Sequence, residues 1–245
     1  MVRNVDYEAR RRAILMATIN KYIKEALPIA SEQIADDFDL SSATIRNIFS
    51  ELEEAGYITH PHTSGGRVPT NKGYRYYVDF LISQMELLNE EKERIVEGYK
   101  NVIDRLEDVL EVTSTVISAI THYAGIVSFL ERQDKFFYTG INYILEQPEF
   151  RDFEKIRLII KMIEEKKKIL DIINRDFSGP TKVYIGEELE CPEMEHCSLI
   201  VSVYRLKDRP SGRIAVLGPK RMEYRHTIPT LEYISAVLSD TLSKF

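Results

Sequence analysis

Ile45, Ile48, Phe49 and Leu52 recur at the i, i+3, i+4, i+7 spacing of a helix with one buried side. The opposite stripe of the same segment is Ala43, Arg46, Asn47 and Ser50, all small or tipped with hydrogen-bonding groups. Leu40-Ser41-Ser42 supplies a hydroxyl N-cap, and Ala55-Gly56 a C-terminal stop. Upstream, Leu15, Ile19, Tyr22 and Ile23 predict a helix over residues 7–25 that ends at Leu27-Pro28. Ser31 is expected to cap a second helix, 32–38, whose Ile34, Ala35 and Phe38 close a three-helix core. Downstream, residues 58–60 and 67–69 flank His62-Thr63-Ser64-Gly65-Gly66, the signature of a tight β-hairpin. Together these patterns describe a helix-turn-helix followed by a wing.

The pattern stays helical for the next fifty residues. A helix is expected over 72–88, then another over 89–123. In the second, Ile95, Tyr99, Val102, Leu106, Val109, Thr113, Val116 and Ile120 alternate at spacings of four and three, an a/d seam. Ile103, Leu110 and Ile117 widen it. Two readings are open: a contact between protomers, centred on Tyr99, Val102, Leu106, Val109 and Val116, or a helix buried within its own chain.

From Gly125 onward, β-branched and aromatic runs take over at 125–130, 136–139, 183–185, 199–204 and 213–217. A long amphipathic helix is expected at 150–173 and a last one at 228–242. Asp208 to Gly212 reads as a hairpin turn, making the final two strands antiparallel neighbours. Successive strands with helices on one face give an α+β domain. The expected division is a winged helix at 1–78, connecting helices at 79–123 and a regulatory domain at 124–245.

Composition narrows the setting. The chain has 245 residues, 44% hydrophobic and 29% charged, ordinary for a soluble protein. No apolar run approaches a membrane span or a secretory leader, and two cysteines make no disulfide framework, so the cytoplasm is expected. Net charge is −6, and residues 1–80 hold 10 Lys and Arg against 11 Asp and Glu. With few cations, affinity for DNA has to come from base contacts and paired half-sites more than from a basic coat.

The segments SSATIRN and HPHTSGGRVPTNKGYRYYVDFL, followed by QPEFRDFEKIR, VYIGEE, CSLIVSVYRL and GRIAVLGPKRMEYRHTIPTLEYISAVLS, closely resemble the heat-inducible transcription repressor HrcA family. The resemblance covers well over half the chain. It implies repression of chaperone operons by a dimer on an inverted-repeat operator, with chaperonin keeping the repressor competent. It also implies a GAF-like C-terminal fold. Members of the family are usually about a hundred residues longer. Here THYAGIVSFLERQDKFFYTGINYIL runs almost directly between matching segments, as in a shortened member lacking much of the central inserted region.

The residue types then assign roles. Arg46 suits guanine and Asn47 adenine in the major groove. Ser42, Ala43, Thr44 and Ser50 complete that face; His62, Thr63 and Ser64 belong to the wing; Arg67, Lys72 and Arg75 are expected on phosphates. Cys191, His196 and Cys197 lie close in sequence without a second ligand pair, so no metal is expected, and no cofactor either. No nucleophile elbow, P-loop or dinucleotide fingerprint is present, and catalysis has no support. The alternatives are a regulator sensing a small molecule through its C-terminal domain, and a degenerate paralogue acting as an interaction protein.

Overall fold

The structure, a computed structural model, describes residues 2–61, 66–82, 87, 89–99, 106–129, 136–175, 177–206 and 209–243. The chain divides into two compact units, Met1–Ser83 and Gln84–Phe245.

In the first unit, α1 (Val2–Glu25), α2 (Ser31–Phe38) and α3 (Ser42–Glu54) form the three-helix core. Ile14, Leu15, Ile19, Ile34, Ile45, Ile48, Phe49 and Leu52 are each at most 2% exposed. Ser41 caps α3 as expected, its hydroxyl accepting from the Thr44 amide at 3.1 Å. Gly56, at φ 75°, ends that helix: its amide donates to the Glu53 carbonyl and the Tyr57 amide to the Leu52 carbonyl, both at 2.9 Å. The cap of α2 differs from expectation. Ser31 lies inside the helix and is buried, while the Gln33 side chain reaches back to accept from the Ala30 amide at 2.7 Å.

The wing strands are β1 (Ile58–Thr59) and β2 (Val68–Pro69), antiparallel, with Ile58 opposite Pro69 and Thr59 opposite Val68. Ile29 adds a third rung through paired backbone bonds with Arg67 at 2.9 and 2.8 Å. The hairpin is thereby tied to the α1–α2 connection. Thr70 then caps α4 (Asn71–Ile82), accepting from the Gly73 amide at 3.1 Å. Gly73 is required there, since a Cβ would sit 2.1 Å from the Tyr57 carbonyl oxygen.

The second unit is built on five antiparallel strands in the order β4-β3-β7-β6-β5: β3 (Ala124–Phe129), β4 (Phe136–Thr139), β5 (Thr181–Ile185), β6 (Cys197–Leu206) and β7 (Arg209–Pro219). All five expected strands are present, and the last two are antiparallel neighbours as expected, although residues 209–212 of the expected turn belong to β7. Helices cover both faces of this sheet, not one. Alternate residues Ala124, Ile126, Leu199, Val201, Ala215 and Leu217 pack with α8 (Phe153–Glu164) and α9 (Lys166–Ile173) through Ile159, Met162, Ile169, Ile172 and Ile173. On the other face, a Cβ at Gly125 would meet the Ser114 carbonyl oxygen at 2.4 Å, so α6 (Leu106–Thr121) lies directly on β3. Ser198 there meets Tyr224 of α10 (Tyr224–Leu242) at 2.7 Å between hydroxyls. Covering on both faces accounts for strands that read as unbroken apolar runs.

Three expected helices change. Of the expected 72–88 helix, α4 is Asn71–Ile82, and Leu87 is not helical. The expected 150–173 helix is two, because Glu165 (ψ 54°) breaks the helical path between α8 and α9. The expected 89–123 helix contains α5 (Asn89–Gly98) and α6 as separate elements, both within the second unit. Its seam closes on itself: the Tyr99 hydroxyl donates to Thr113 at 2.9 Å, and Gly98 lies against Val116. Ile95, Val109 and Thr113 are fully buried, and Tyr99 and Val116 are 7% and 8% exposed. Tyr99, Val109, Thr113 and Val116 are thus buried within this one chain. Val102 and the Leu106 side chain lie outside the described residues.

Candidate nucleic-acid interface

The cap at Ser41 and the Schellman turn at Gly56 fix both ends of α3, and its apolar stripe fixes its rotation about its axis. What remains outward is the polar stripe. Ala43, Arg46, Asn47 and Ser50 are all exposed, while Ser42 and Thr44 are half-buried. The Arg46 guanidinium lies back along the helix, donating to the Ser42 carbonyl at 3.3 Å and the Ser42 hydroxyl at 3.4 Å. Thr44 shares its hydroxyl with Ser41 at 2.9 Å, and Ser50 donates to the Arg46 carbonyl at 3.1 Å. The sequence-predicted base readers therefore stand together on one accessible face, with short hydroxyls around them that hold the helix start.

The expected phosphate contacts are distributed differently. The Lys72 ammonium is exposed and donates to the Ala55 carbonyl at 2.8 Å, 4.7 Å from the Tyr57 ring centre, where it neutralises the C-terminal end of α3. Arg75 pairs with Asp79 on its own helix at 3.4 Å. Arg67 is mostly buried, ion-paired to Glu53 at 3.2 Å and laid over the Phe49 ring. His62, Thr63 and Ser64 lie outside the described residues. A cleft of about 360 Å³ opens between α3, the start of α2 and the wing base, lined by Arg46, Phe49, His60 and Arg67 among others.

Two acidic residues of α3 have partners elsewhere in the unit. Glu51 accepts from the Tyr7 hydroxyl at 2.6 Å and faces Arg11 at 3.8 Å, bracing α1. The Tyr7 pKa is raised, first by that hydrogen bond and then by burial. Glu53 meets both His60 and Arg67. Extending the hairpin register by one step puts His60 opposite Arg67, and opposed residues share a face. That spacing is the signal in the sequence that could have found the cluster.

Residues 7–79 match the family model described as winged helix-turn-helix transcription repressor, HrcA DNA-binding, and residues 128–228 match HrcA protein C terminal domain. This chain belongs to the HrcA family. A heat-inducible transcription repressor HrcA from Carboxydothermus hydrogenoformans is 29% identical over 335 aligned positions, covering 96% of this chain and 98% of the relative. One from Desulforamulus reducens is 28% identical, covering 97% of each. The 335 aligned positions exceed the chain's 245 residues by 90, so at least that many residues of the first relative have no counterpart here. This HrcA-family chain is a shortened member, as its sequence implied. A crystal structure of a hypothetical protein at 2.2 Å resolution shares the fold, with a TM-score of 0.81 at 19% identity over 96% of this chain and 98% of that one. Among the described residues, no helix is long and apolar enough to cross a membrane.

Proposed function

We propose that this chain is a sequence-specific DNA-binding transcriptional repressor of heat-shock chaperone operons, acting as a dimer on an inverted-repeat operator. The observation that carries the reading is the exposed Arg46–Asn47 pair on a doubly capped helix beside a hairpin, within the segment that matches the HrcA DNA-binding model. Arg46 reads guanine and Asn47 adenine at the floor of the major groove. Ser42, Ala43, Thr44 and Ser50 pack along the groove wall. Lys72 and Arg75 position the domain on phosphates from the helix that leaves the wing. Two such domains in a dimer present their α3 helices about one helical turn apart, or a multiple of it.

Regulation follows from folding equilibrium. The α8–α9 side of the sheet is filled by aliphatic side chains, Ile126, Ile159, Met162, Ile172, Leu199 and Leu217 among them. An apolar core of this kind supports a switch based on stability over one based on a small molecule in that position. Operator binds only the folded dimer and stabilises it by mass action, heating unfolds that dimer, and chaperonin returns unfolded chains to the competent state.

The test is selection of bound duplexes from random DNA by the full chain. The expected product is a palindromic motif with guanine and adenine preferences in each half. Recovery of no motif would refute the proposal.

A further inference from the structure

Glu53 makes contacts that no base-reading role accounts for. It sits in the last turn of α3, two turns beyond Arg46 on the same side of the helix, and its carboxylate bridges the two sides of the wing base. One oxygen meets His60 Nδ1, just beyond β1, and the other meets Arg67, just before β2, at 3.2 Å. The pair is shielded, with the Arg67 side chain 15% and the Glu53 side chain 29% exposed. Three further contacts hold Arg67 in place. Its backbone pairs with Ile29, its guanidinium covers Phe49, and its neighbour Val68 is in register with Thr59. The hairpin is only two paired residues on each side, too short to hold its own angle against the helix.

We infer that Glu53 is a positioning residue that sets the angle of the wing against α3, and with it the sequence preference at the outer base pairs of each half-site. The inference rests on the DNA-binding reading above and adds a division of labour. Arg46 and Asn47 determine the inner positions, and Glu53 determines the outer ones through His60 and Arg67, without touching DNA. Charge explains why a carboxylate stands on a helix that approaches phosphates. Its negative charge is offset by the Arg67 guanidinium at the wing base, so it adds little repulsion toward the duplex.

The experiment uses the full chain and a panel of duplexes carrying every single-base change in the sequence recovered from random DNA. Glu53→Gln keeps size and polarity but removes the charge that grips Arg67. Glu51→Gln is the control, since it loosens the α1 brace and leaves the wing contacts whole. Glu53→Gln is expected to flatten discrimination at the outer positions by about tenfold while inner discrimination stays within about twofold of the parent. Glu51→Gln is expected to leave both profiles unchanged. Equal loss at inner and outer positions, the same flattening in Glu51→Gln, or no change in Glu53→Gln overturns the inference. Failure of the parent chain to select any sequence instead overturns the DNA-binding reading beneath it. Thermal melting of each variant separates unfolding from altered preference. Should Glu53→Gln not fold, Arg67→Lys, which keeps the charge but loses the planar fork, is read on the same panel.

Discussion

Arg67 places a guanidinium nitrogen 3.2 Å from the Glu53 carboxylate, joining the second wing strand to the end of the recognition helix. A residue whose type and position suit a phosphate contact is thus mostly enclosed by its own domain. Arg67→Ala removes the ion pair and the cover over Phe49 and leaves Glu53 without its main partner. The expected cost is about 1–3 kcal/mol of stability, measured by urea unfolding of the full chain. A cost near zero would mean that Arg67 is free to serve DNA directly.

Arg46→Ala is expected to weaken the selected duplex by about 1–3 kcal/mol and to relax preference at a single base step in each half-site. Competition with single-base variants measures both. Uniform weakening on every sequence would reassign Arg46 to the phosphate backbone.

Lys72→Ala is expected to act differently, lowering affinity evenly across sequences and reducing the salt slope by about one. Titrations at several salt concentrations give that slope. An unchanged slope would leave Lys72 only its contact with the Ala55 carbonyl.

The polar stripe on α3 and the buried stripe opposite it were readable because a helix of this length, closed by Ser41 and Gly56, has one way to bury Ile45, Ile48, Phe49 and Leu52. The five strands were readable because each is an apolar run between turn residues. The α5–α6 arrangement was not. A stripe at spacings of four and three serves equally for a partner chain or for a helix folded back on itself, and only the Tyr99–Thr113 contact distinguishes them. Helices on both faces of the sheet were signalled by Leu199–Ile200–Val201, a run with no polar alternation, whereas strands in succession are served equally well by helices on one face. The grip of Glu53 on the wing needed the hairpin register, which fixes His60 opposite Arg67.

Tyr99→Phe tests the folded-back seam. Losing the hydroxyl leaves Thr113 with its bond to the Val109 carbonyl, and the expected loss is about 0.5–1.5 kcal/mol with oligomeric state unchanged. Sedimentation showing dissociation of a dimer at equal stability would return this stripe to the protomer interface.

Glu193 gives the second unit a response to acid. Its own backbone amide, then Lys161, the Cys191 thiol and Lys168, hold its carboxyl at about 2, below the ordinary 4.5. A carboxylate lowered on folding contributes stability above the unfolded value and loses it as pH falls toward the folded one, here between about 4.5 and 2. Unfolding curves at pH 5 and pH 3 are expected to diverge more for the parent than for Glu193→Gln. Parallel curves would remove Glu193 from the acid response.

Asn47 stands outward on α3, where the proposed function has it read a base. Binding of the full chain and of Asn47→Ala to the selected duplex and to duplexes substituted at each adenine, followed by fluorescence anisotropy, tests it most directly. The parent is expected to discriminate against one adenine change in each half-site by about 1–3 kcal/mol, and Asn47→Ala no longer to do so. Equal discrimination by both proteins, or none by either, would contradict it.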